Sequence, residues 1–130
     1  MRFNHILMTF VLAVTLTACA SNRKPFLPVH DEVLVYPLAY DLTYLRTMDA
    51  LMAVEGWDLE VTDKENGLIR VRNMDYTGLD NSDQRTATFI LKRLNVRETS
   101  VELAPDSQQI LGAGTLIKAV SAQLNREAQA

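Results

Sequence analysis

The chain is poor in the side chains that most enzyme chemistry needs. Its 130 residues include one cysteine, Cys19, and two histidines, His5 and His30. Everything after position 30 is therefore without thiol or imidazole, which removes the commonest nucleophiles and general acid–base groups. A transition metal would lack its usual nitrogen and sulfur ligands, so no metal is expected. Without a second cysteine no disulfide can form within the chain. Lys64, Lys92 and Lys118 are present, but no Ser-x-x-Lys motif accompanies them. No two carboxylates are marked by differing surroundings as a glycosidase pair would be. The polar stretch from Met74 to Gln84 holds Asp75, Asp80 and Asp83 but not the ligand spacing of an EF-hand. Thirteen basic residues against sixteen acidic ones give a net charge of −3, with no basic footprint for nucleic acid. The expectation is a protein that is not an enzyme and has no nucleic-acid partner.

What is there begins at the N-terminus. Arg2 precedes an apolar run from Ile6 to Leu16, interrupted only by Thr9 and Thr15. A cationic start, a short apolar segment and a small residue at its end make a secretory signal. The run falls short of the ~20 residues that span a membrane. It closes on Leu16-Thr17-Ala18-Cys19, which resembles the lipobox of bacterial lipoproteins. That resemblance implies cleavage between Ala18 and Cys19, and diacylglycerol and N-acyl lipid on Cys19 as the only attached group. A single acyl chain holds a protein marginally, at ~0.8 kcal/mol per buried CH₂, whereas two or three hold it stably. By likeness to Gram-negative lipoproteins, Ala20 and Ser21 in place of a sorting aspartate imply the outer membrane, facing the periplasm.

Residues 1–18 are thus read as a cleaved signal and 19–31 as the lipidated cysteine and a flexible tether. The tether carries Arg23, Lys24, Pro25 and Pro28 without apolar periodicity, and as a coil it reaches ~20 Å. Its two cations either lean on anionic headgroups or are simply solvated. Residues 32–130 are expected to form one periplasmic domain, of a size that folds unaided.

Within that domain Val33–Tyr36 reads as a short edge strand stopped by Pro37. Asp41 looks like an N-cap for a helix over 42–55, with Leu42, Leu45, Met48, Leu51 and Met52 as its core stripe and Gly56 as its stop. Trp57–Thr62 and Leu68–Asn73 alternate strictly around an Asn66-Gly67 turn. Their predicted register sets Glu60 opposite Arg70, Asp58 opposite Arg72 and Leu59 opposite Val71, so charges meet on one face and apolar groups on the other. Arg85–Leu94 and Glu98–Leu103 read as two more strands, with Ala87, Phe89, Leu91, Thr99, Val101 and Leu103 inward. A turn at 93–97 would place Lys92 against Glu98 and Phe89 against Val101, gathering Lys92, Arg93 and Arg97 at the tip. Gly112-Ala113-Gly114 reads as flexibility before a last helix over about 115–127, capped by Thr115 and striped by Leu116, Ile117, Val120 and Leu124. The missing strand and third glycine exclude a dinucleotide site there.

The order β-α-β-β-β-β-α predicts a two-layer α+β domain: an antiparallel sheet of four to five strands with two helices on one face. Together with the lipobox and the proline-bearing tether, this architecture resembles small Gram-negative outer-membrane lipoproteins. The helix-grip domains of the BamC accessory lipoproteins are the nearest comparison. The resulting expectation is a non-catalytic, lipid-anchored accessory module that binds an envelope protein. The alternative is a module binding a lipid or small molecule between helices and sheet. The candidate interaction residues are Asp58, Glu60, Arg70 and Arg72 on the polar face, and Lys92, Arg93 and Arg97 at the tip. Charge pairing across the hairpin also accounts for the first four, and solvation of a loop tip for the others.

Overall fold

The computed structural model describes residues 27–75 and 86–130. The signal segment, Ala18, Cys19, the tether through residue 26 and the loop holding Asp80 and Asp83 lie outside the described residues. The elements run β1 (Leu34–Tyr36), α1 (Tyr40–Met52), β2 (Trp57–Asp63), β3 (Leu68–Asn73), β4 (Thr86–Asn95), β5 (Glu98–Leu103) and α2 (Ala113–Gln129). The strands form one antiparallel sheet in the order β1-β5-β4-β3-β2. This is the α+β layout that the alternation of strands and helices implied.

Alternation places Tyr36, Ile69, Val71, Ala87, Phe89, Leu91, Val101 and Leu103 on the face beneath the helices. There they form one core with Tyr44 and Leu51 of α1 and Leu116, Val120 and Leu124 of α2. The polar members of this layer are satisfied. Thr99 donates to the Leu38 carbonyl at 3.0 Å, and the Tyr36 hydroxyl meets Ser121 Oγ at 3.0 Å.

Helix α1 lies in a different rotation from the one its Leu and Met spacing suggested. Of the expected stripe, Leu51 is buried and Leu42 and Met48 pack partly on the core, but Leu45 is 51% and Met52 62% exposed, and Thr43, Tyr44, Thr47 and Ala50 are buried in addition. Two tyrosines set this phase: Tyr40 and Tyr44 donate to the carbonyls of Lys64 and Leu68 at 2.5 and 3.0 Å. The buried threonine hydroxyls return to the carbonyls four residues back, so their burial leaves no donor unpaired. Asp41 is in the first turn, not at the cap, and the helix ends at Met52, short of Gly56.

Two registers differ from expectation. Asp58 does face Arg72 and Leu59 faces Val71, but a bulge at Glu60 then sets Val61 opposite Arg70. Bulges are common on edge strands, where only one side must keep its ladder. The β4–β5 pairing is displaced by two residues, with Phe89 opposite Leu103 and Lys92 opposite Ser100. A shift of two keeps every side chain on its own face, so the hydrophobic pattern could not resolve it.

The glycines before α2 are packed. Gly112 has φ +90°, and a Cβ there would come 2.9 Å from Trp57 Cζ2. The residue is fixed by close approach to the indole, not by a need for flexibility at that point. Next to it, His30 donates its backbone N–H to the Gln108 carbonyl at 2.9 Å. Its ring stands within 3.1 Å of where a Gly114 Cβ would be. The last residues of the tether are therefore docked on the domain.

Gly67 carries the tightest turn. With φ +68°, its carbonyl accepts from Leu91 N–H at 2.8 Å, and an added Cβ would fall 2.1 Å from the Leu91 carbonyl oxygen. Gly67→Ala is expected to cost more than the ~1–2 kcal/mol of a left-handed conformation alone, since backbone must move. At Gly56 the obstacle is the Asp75 carboxylate, a side chain that can swing away. Urea unfolding should therefore rank Gly67→Ala clearly below Gly56→Ala in stability.

Candidate interaction surface

The helices cover one face of the sheet; the opposite face presents the outward positions of all five strands. Four rows cross it. One runs Val35, Ser100, Lys92, and a second Asp63, Leu68, Ile90, Glu102. The third is Val61, Arg70, Thr88 and the fourth Asp58, Arg72, Thr86. Val35 and Val61 are exposed, and Leu68 and Ile90 are half-buried. The surface is thus aliphatic at intervals, with the cations Lys92, Arg70 and Arg72 set among the carboxylates Asp58, Glu60, Asp63 and Glu102.

The strands bring the predicted residues together only in part. Asp58, Glu60, Arg70 and Arg72 share this face as expected. Arg72 pairs with Glu60, the bulged residue, rather than with Asp58 across the ladder. Asp58 makes no ion pair among the described residues. Arg70, expected to pair with Glu60, instead donates from Nε to Thr88 Oγ1 at 3.1 Å, and has no carboxylate partner among the described residues. The tip cluster separates, because neighbouring strand residues point to opposite faces. Lys92 belongs to the open face, bound to Glu102. Arg93 points to the helix side, its guanidinium 5.2 Å from the Tyr40 ring centroid. Arg97 sits in the turn, where its backbone N–H donates to Asn95 Oδ1 at 2.9 Å.

The alternation of β4 already turns Thr86, Thr88 and Ile90 outward, whereas Val35, Val61 and Leu68 are not expected on this face, Val61 being expected inward with Trp57 and Leu59. Ile90 follows Thr86 and Thr88 at the same period of two, an aliphatic residue in an outward row. Val61 gave no such signal, since only the bulge turns it outward. Chemically the face can offer the Arg70 guanidinium, which has no carboxylate partner among the described residues, and small patches of aliphatic surface, while Thr88 and Ser100 on it are buried. Arginine beside apolar groups is the composition of contact surfaces between proteins. Among the described residues there is no group of three or more metal-ligating side chains, and no helix long and apolar enough to cross a membrane.

At the end of the hairpin, carboxylates are held by local donors. The Asn66 side chain and backbone N–H both bind Asp63, and Lys64 binds Asp41; each carboxyl is drawn below its ordinary value of 3.8. A depressed folded value means these contacts stabilise the fold above about pH 3.8 and are lost as the pH falls through the lower folded value. In an NMR titration, the amides of residues 63–67 should shift together below pH 4 while that of Val120 stays still. In comparison with known proteins, no family model and no curated protein matches this chain.

Proposed function

We propose that this chain is a lipid-anchored, non-catalytic protein of the bacterial envelope, an accessory module that binds another envelope protein through its open sheet face. The observation that carries the reading is Arg70, a guanidinium with no carboxylate partner among the described residues, set between exposed Val61 and half-buried Ile90 and Leu68. Such a residue gains a charge-assisted partner when an acidic surface docks. The lipobox-like Leu16-Thr17-Ala18-Cys19 supports the anchor, and Ala20 supports an outer-membrane, periplasm-facing position. The rival reading, a lipid or small molecule between helices and sheet, has no comparable support, because Phe89, Leu51, Ile69, Leu116 and Leu124 fill that layer.

A photo-crosslinking residue at Val61 in living cells tests this directly. Mass spectrometry should recover the same envelope protein repeatedly, and Arg70→Glu should abolish the adduct. Adducts no different from those formed by the same probe at Leu45, on α1, would count against the face.

A further inference from the structure

The β4–β5 hairpin runs past its neighbours. β3 pairs with β4 no nearer the turn than Leu68 opposite Ile90, and β1 pairs with β5 no nearer than Tyr36 opposite Thr99. Residues 94–97 therefore project as a finger without a strand on either side, and Arg93, opposite Thr99 and over the Tyr40 ring, stands at its base. The stretch Arg93-Leu94-Asn95-Val96-Arg97 is exposed throughout. Leu94 is 52% exposed and Val96, at the turn, 84%.

The turn does not need this apolar surface. Asn95 already ties it, accepting from the Arg97 N–H and donating from Nδ2 to the Glu98 carboxylate at 2.7 Å. Polar residues and glycine are the usual occupants of such turns, and Val96, left 84% exposed, adds little to the fold. From this geometry we infer that the finger is a second membrane contact, with Leu94 and Val96 entering the interface while Arg93 and Arg97 bind anionic headgroups. Asp41 is paired with the Lys64 ammonium, whereas Glu98 is held only by the neutral Asn95 amide, which does not offset its charge, so Arg93 and Arg97 against Glu98 leave the finger one net positive charge.

A bilayer suits this tip better than a protein does. The finger projects and ends in the most exposed large apolar side chain among the described residues, and a fluid interface closes around such a shape without a preformed pocket. Aliphatic groups beneath cationic ones match the layering of lipid and headgroup. The proposed anchor keeps a bilayer in reach, since the chain from Cys19 to Leu27 extends at most ~30 Å. β1 enters the sheet from the end opposite the finger, so a domain touching at both ends lies on its side. The inference rests on the anchored reading for proximity alone; the chemistry of the finger is independent of it.

The test uses acylated protein purified from membranes and carrying Val96→Cys. With the Cys19 sulfur acylated, the introduced thiol is the single site for an environment-sensitive fluorophore. In phosphatidylethanolamine–phosphatidylglycerol vesicles the emission should shift to the blue and be quenched by lipid-borne nitroxides. Adding Arg93→Gln and Arg97→Gln should lower the ratio of docked to free finger by about 30-fold, the effect of two surface cations. Phosphatidylcholine vesicles should show the same weakening. A fluorophore that stays in water on the anionic vesicles, or docking unchanged by the two substitutions, overturns the proposal. Two labelled thiols per chain would instead refute acylation at Cys19, and the same comparison by vesicle flotation would then judge the finger alone.

Discussion

Phe89→Ala should remove ~3–5 kcal/mol of stability, the range for truncating a buried aromatic side chain. Phe89 is the largest of the side chains with essentially no exposure, on the central strand β4 beneath both helices. Against a total of ~5–15 kcal/mol for a typical domain, that loss lowers Tm by more than ~10 °C. Urea unfolding followed by Trp57 fluorescence measures it. Leu59→Ala should cost less, because the edge strand leaves Leu59 only half-buried, and Val96→Ala at the hairpin tip should cost almost nothing. Equal losses at the three positions would mean that the layers are assigned wrongly.

The contrast between Phe89 and Leu59 also shows where the sequence was legible. Period-two alternation marks β2 through β5 and gives the correct face for Phe89, Leu91, Val101 and Leu103. It carries no information about displacements of two residues, so the pairing of Lys92 with Ser100 needed the structure. It cannot anticipate the bulge at Glu60 either, which reverses Val61 and frees Arg70 from its expected partner. Helix α1 misled for another reason. Its stripe includes Leu45 and Met52 on the exposed side, whereas the buried side joins the expected Leu51 to Thr43, Tyr44, Thr47 and Ala50. Small residues and hydroxyls that bond their own helix can face a core as well as leucine does. The candidate surface was half visible: charges that alternate outward are plain in the sequence, while the aliphatic gaps between them depend on strand order.

Cys19→Ser should have the largest effect on where the protein is found. Without the sulfur no diacylglyceryl group can be attached. The signal should then remain uncleaved, because cleavage before Cys19 is expected to follow acylation in proteins with this motif. Fractionation of cells should show loss of the processed, outer-membrane form, with its apparent mass rising by the length of residues 1–18. Since the core of the described residues is built from side chains between Leu34 and Leu124, the urea midpoint of the domain should be unchanged. A processed protein at normal level in the outer membrane would refute the anchor while leaving the fold untouched.

The account depends most on what is bonded to one sulfur atom, and intact-mass and peptide mass spectrometry of the membrane-extracted protein reads it directly. The predicted result is a chain that begins at Cys19 and carries diacylglyceryl and N-acyl groups. A chain that begins elsewhere, or begins at Cys19 with a free thiol, would contradict it.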